Sequence, residues 1–71
     1  MIRVWIDGPK FCNYVEDDER VLGQVVAVYG TSKWRAFDTT KLNSSKTAAL
    51  PIGSFETIEL AKAEIEHLHG V

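Results

Sequence analysis

Cysteine is nearly missing from this chain of 71 residues. Cys12 stands alone, so no disulfide within the chain can staple it, and the framework of a small secreted scaffold is excluded. A reducing, cytoplasmic setting is the expectation. Nowhere do about 18 apolar residues run together, so the pattern holds no membrane-spanning helix. The opening MIRVWIDGPK meets an acid and a Gly-Pro turn before it can serve as a signal or targeting segment. Gly-rich phosphate loops, the Cys and His spacing of a zinc site and a Ser-His-Asp series are all missing as well. A basic excess, usual in specific DNA readers, is missing too, since the net charge is -2.

The 45% of hydrophobic and 25% of charged residues are those of one compact domain, here residues 1–71, and are too apolar for a disordered segment. A chain of this size buries only about 60% of the surface its unfolded form exposes, which favours a shallow surface site over an enclosed one. Charge is segmented along the chain. Residues 1–30 carry three bases and five acids (-2), residues 31–50 four bases and one acid (+3), and residues 51–71 one base and four acids (-3). Local fields of this kind steer partners more than the sum does, a polyanion toward the middle or a basic protein toward the ends.

Alternation of Ile2, Val4 and Ile6 with Arg3 and Trp5 predicts a half-buried strand, ended by DGPK. FCNYV predicts a second strand that turns back at EDDER, although Asn13 with Glu16 also fits a short capped helix. VLGQVVAVYG, rich in β-branched residues and apolar on both faces, predicts a mid-sheet strand. Gly30, Thr31 and Ser32 then turn into KWRAFD, where Trp34 and Ala36 face one way and Lys33, Arg35 and Phe37 the other. TTKLNSSKTAALP has no period and predicts a long mobile loop before a short segment at Leu50–Phe55. Thr57 is placed to cap a helix that ends at Gly70. Its stripe of Ile58, Ala61, Ile65 and Leu68 faces the sheet, Glu59, Lys62 and Glu66 face water, and Leu60 sits off the stripe. The expected fold is α+β, an antiparallel sheet of three to five strands packed against one C-terminal helix.

Candidate chemistry is sparse. His67 and His69, two apart on a helix, point about 200° from one another and cannot share an ion. Cys12 has no base beside it in sequence and reads as a small buried hydrophobe. Glu16, Asp17, Asp18 and Glu19 lack the spaced oxygens and glycine of a calcium loop, so neither a metal nor a cofactor is expected. The chain reads as a non-enzymatic binding protein. Trp5, Tyr14, Tyr29 and Trp34, where exposed, are the expected aromatic anchors for a partner protein, and Glu16, Asp17, Asp18 and Glu19 the steering charges. For a nucleic acid, Lys33, Arg35, Lys41 and Lys46 with Trp34 and Phe37 interleaved are the expected contacts.

WRAFD (34–38) followed by IGSFETIELAKAEI (52–65) resembles the Trp-Arg-Ala, Gly-x-Phe-x-Thr and Ala-x-x-x-Ile positions of the arm-type DNA-binding domain at the N-terminus of phage tyrosine integrases, and of the related plant ethylene-response-factor domain. The resemblance spans Tyr29 to Ile65. It implies a three-stranded sheet that reads DNA, packed on one C-terminal helix. Trp34, Arg35 and Ala36 would lie on the second or third strand, Gly53 and Phe55 on the last, and Thr57 at the helix cap. Ala61 and Ile65 would pack beneath. Gly53 is expected to permit close packing and Phe55 to fill the gap between sheet and helix. An acidic, free-standing chain of this size is also similar to small accessory proteins of phages and mobile elements that bind a host protein, for example as inhibitors of a nuclease or a defence system such as CRISPR or restriction. A host protein is therefore the first expected partner and DNA, read by the sheet, the alternative. No membrane partner is expected, and self-association through an edge strand or Leu60 is compatible with the sequence.

Overall fold

The computed structural model describes residues 2–70. Five strands follow one another as a meander, β1 (Arg3–Asp7), β2 (Phe11–Glu16), β3 (Arg20–Ala27), β4 (Trp34–Leu42) and β5 (Ala49–Phe55), and helix α1 (Ile58–Leu68) closes the chain. Every strand pairs antiparallel with its sequence neighbour, in the spatial order β1-β2-β3-β4-β5. The α+β architecture expected from the pattern is thus present. VLGQVVAVYG supplies the central strand, and EDDER makes a hairpin turn, not a helix. Asp17 and Asp18 both sit at positive φ (54° and 59°), and Glu19 N–H donates to Glu16 O at 3.1 Å, the type I′ pattern that matches the twist of a hairpin.

Paired residues share a face, so register sorts the side chains. One face carries Trp5, Cys12, Tyr14, Gly23, Val25, Ala36, Asp38 and Phe55, and α1 lies on it over β3, β4 and β5. Cys12, Tyr14, Leu22, Val25 and Ala36 join Ala61 and Ile65 of the helix in one buried core, with Trp5, Trp34, Ile52, Phe55 and Ile58 packed around it. A Cβ on Gly23 would stand 2.5 Å from Ile65 Cγ2, so this glycine sets how closely the helix approaches the sheet. At Gly53 a Cβ would meet only the Phe55 ring, at 3.9 Å. The close-approach glycine is therefore Gly23, not Gly53.

The structure fixes which face of β1 is buried and corrects three further expectations. The isoleucine face of β1 is the outer one: Ile2, Val4 and Ile6 are exposed, while Trp5 stacks on Tyr14 with ring centroids 4.8 Å apart. Trp5 prevails because its ring reaches across to β2 and its indole N–H finds Glu66 Oε2 at 3.1 Å. Lys62 and Glu66 accordingly face β1 and not water, with Lys62 Nζ 3.1 Å from Asp7 and 5.1 Å from the centre of the Trp5 ring. The tract from Thr39 is not one long loop. β4 runs on to Leu42, Thr39 Oγ1 donates to Val21 O at 2.7 Å, and only residues 43–48 turn. That turn is held by Asn43, whose Oδ1 accepts from Thr47 N–H and whose backbone pairs with Ala48 and Lys46. Leu68 at the end of the helical stripe is half exposed, as is Leu60.

Thr57 caps the helix as its position implies, extended at φ -132° with Oγ1 accepting from Leu60 N–H at 3.2 Å. Gly70, at φ 73°, gives the left-handed turn after His69 that ends it.

Candidate functional site

The helix covers one face of the sheet and leaves the other open. The molecule measures 36 × 27 × 20 Å, and its short dimension is that of two layers, sheet and helix. On the open face, register places Val4 and Ile6 beside Val15 and Asn13, Phe11 and Gln24 beside Val26 and Phe37, and Arg35 beside Ser54. This surface is mainly apolar. Ile6 keeps 51% of its surface in solvent and Phe11 41%, with Val4 and Val21 similarly exposed. The polar pair in its centre satisfies itself, Gln24 Nε2–H donating to Asn13 Oδ1 at 3.0 Å. Arg35 is the one charged residue that register puts there, and its guanidinium makes no hydrogen bond or ion pair among the described residues.

At one end of this face Val26, Ala27, Val28, Tyr29, Arg35 and Phe37 line a shallow groove of about 200 Å³. Tyr29 rises from the β3–β4 turn and is 98% exposed. The turn beneath it is fixed by Thr31, whose hydroxyl donates to Val28 O and accepts from Lys33 N–H. An aromatic ring, an unpaired guanidinium and an apolar floor therefore sit together at the β3–β4 hairpin.

The expected site residues fall into separate places. Of the four aromatic candidates only Tyr29 is free, because Tyr14 is buried and Trp5 and Trp34 belong to the layer beneath the helix. Glu16 is held by Arg3 Nε at 3.1 Å on the helix side, whereas Asp17, Asp18 and Glu19 are exposed at the β2–β3 turn. Asp17 also accepts from Ile2 N–H through Oδ1. Of the basic group, Arg35 is on the open face, Lys33 precedes β4 with Nζ 3.7 Å from Glu56, Lys41 is near the end of β4, and Lys46 is in the turn that follows. Val4, Ile6, Phe11, Val21 and Val26 belong to the open face without being among the residues expected there. Their signal was present in strands apolar on both faces, in a chain with a single helix to cover them.

The ionisable groups on the helix side are structural. Burial pushes the Cys12 thiol up, with Asp7 adding to it, which keeps it protonated and weakly nucleophilic. Burial pushes the Asp38 carboxyl up as well, but hydrogen bonds from the Thr40 hydroxyl and N–H, with His69 and Lys41, outweigh it and hold the group below its ordinary value. His69 Nε2 is buried 3.6 Å from Asp38 Oδ1 without a hydrogen bond. Among the described residues no three His, Cys, Asp or Glu side chains gather as a metal site, and no helix is long and apolar enough to cross a membrane. No family model, curated protein or solved structure matches the chain.

Proposed function

We propose that this chain is a non-catalytic binding module that docks on a partner protein through its uncovered sheet face. The observation that carries the reading is the apolar character of that face, with Val4, Ile6, Phe11 and Val21 each about half exposed in one contiguous field. Exposed apolar fields of this extent mark interaction surfaces, because leaving them in water forgoes about 25 cal/mol for every Å² that a partner would cover. Tyr29 and Phe11 serve as anchors, and Asp17, Asp18 and Glu19 at the sheet's end favour a basic rim on the partner. A host protein bound by a small phage or mobile-element accessory protein, such as a nuclease or defence factor, has the surface chemistry this pattern suits.

A nucleic acid is the second reading, supported by Arg35 unpaired beside Phe37 and Tyr29, an arrangement able to stack bases and hold a phosphate. The experiment is affinity capture from a host lysate with and without nuclease, repeated with Phe11→Glu and with the pair Lys33→Glu and Arg35→Glu. Protein docking requires a partner that survives nuclease and is lost with Phe11→Glu while the variant stays folded. Loss of every partner on nuclease treatment, or with the charge pair alone, transfers the site to nucleic acid.

A further inference from the structure

The sheet has two edges, and they differ. β5 contains Pro51 and is joined to β4 through two register irregularities, features that keep an edge from pairing further. β1 has no proline, no lysine and no bulge against β2, and the helix packs chiefly over β3, β4 and β5, touching β1 through Lys62, Glu66 and His69 on the covered face. The Trp5 ring leans inward onto Tyr14, so it does not cover the edge either.

Parity fixes which backbone groups β1 leaves open. Gly8 N–H donates to Phe11 O and Asp17 N–H to Ile2 O, each at 2.7 Å. With Val4 paired to Val15 and Ile6 to Asn13, the even residues turn their N–H and C=O toward β2. The alternation of an antiparallel ladder therefore turns those of Arg3, Trp5 and Asp7 outward.

We infer that β1 pairs antiparallel with β1 of a second copy of this chain, on a two-fold axis at Trp5. The segment Arg3-Val4-Trp5-Ile6-Asp7 is complementary to itself in that register. Trp5 exchanges both backbone bonds with the partner's Trp5, and Arg3 does so with the partner's Asp7, which satisfies every outward N–H and C=O of the strand. On the helix side the same pairing sets each Arg3 beside the partner's Asp7. Arg3 spends Nε on Glu16 and Nη1 on His69 O, leaving Nη2 without a partner among the described residues, and Asp7 is largely exposed. On the open side Val4 meets the partner's Ile6, covering two of the exposed aliphatic side chains of the edge. The product is an isologous dimer with one continuous sheet and one helix layer. It covers Val4 and Ile6 of the docking face but leaves Phe11, Tyr29 and the groove at Arg35 accessible, so either reading can fail without the other.

Sedimentation equilibrium from the micromolar to the millimolar range should find a species of twice the 8.0 kDa chain mass. In that species the amides of Arg3, Trp5 and Asp7 should exchange slowly with deuterium, and on dilution to the monomer they should exchange fast. Asp7→Pro removes an outward N–H that the monomer does not use, together with an ion pair from its largely exposed carboxylate to Lys62 that contributes little to stability, so the variant should stay folded by circular dichroism while its association constant falls roughly tenfold or more. Phe11→Glu, on the open face, should leave the mass doubled. A chain that keeps its single mass at millimolar concentration overturns the inference. So do rapid exchange of those three amides in a dimer, or a dimer lost with Phe11→Glu and kept with Asp7→Pro.

Discussion

Two buried residues on the helix side govern how firmly this small core holds. Gly23 has the Ile65 Cγ2 methyl where its own Cβ would be. Gly23→Ala should therefore destabilise by about 1–3 kcal/mol in urea unfolding, with part of the loss recovered by adding Ile65→Leu, which has no methyl at that position. Asp38 acts through charge. Its carboxyl is held below its ordinary value in the folded chain, so its contribution is full above the unfolded carboxylate value of about 4 and is lost as pH falls through the folded one. Stability measured from pH 6 downward should drop more steeply for the parent than for Asp38→Asn. If the two curves run parallel, Asp38 has no such role.

At the level of elements, caps and turns carry the local instructions. Thr57→Ala removes the acceptor of Leu60 N–H and should cost about 1 kcal/mol, read as a lower midpoint in thermal unfolding. Asp18 stands at positive φ in the β2–β3 turn with no side-chain hydrogen bond among the described residues, so Asp18→Gly should raise stability by about 0.5–1 kcal/mol. These same signals made most of the fold legible in the sequence. The cap at Thr57, the stop at Gly70 and the β-branched run of β3 each have one local meaning, and the structure has them where they were read. The face of β1 was not legible, because alternation separates Ile2, Val4 and Ile6 from Arg3 and Trp5 without saying which set meets the helix. That choice depends on Tyr14 and Glu66, distant in sequence. Nor was the length of β4 legible, since Thr39 and Thr40 read as loop until Val21 O and Asp38 are there to bind their hydroxyls. Of the site, Arg35 and the acidic turn were readable as exposed charge, whereas the apolar field emerges only once register aligns residues from four strands.

For the whole molecule, a sheet covered by the helix on one face only is the property on which the proposed function rests, and the two free surfaces would divide the proposed work: open face toward a partner protein, β1 edge toward a second copy. Connectivity also decides how the molecule comes apart. Because strand order is chain order, each ladder joins sequence neighbours, and the β1–α1 ties are the ones that reach across the chain: Asp7 to Lys62 over 55 positions, Trp5 to Glu66 over 61 and Arg3 to the His69 carbonyl over 66. Closing so long a loop is the slowest entropy to recover, so the hairpins assemble first and these ties close last. Trp5→Phe, which deletes the indole N–H, should then speed unfolding several-fold and leave the folding rate nearly unchanged, a φ-value near zero in a chevron analysis, making β1 and the helix end the place where the native structure first lets go.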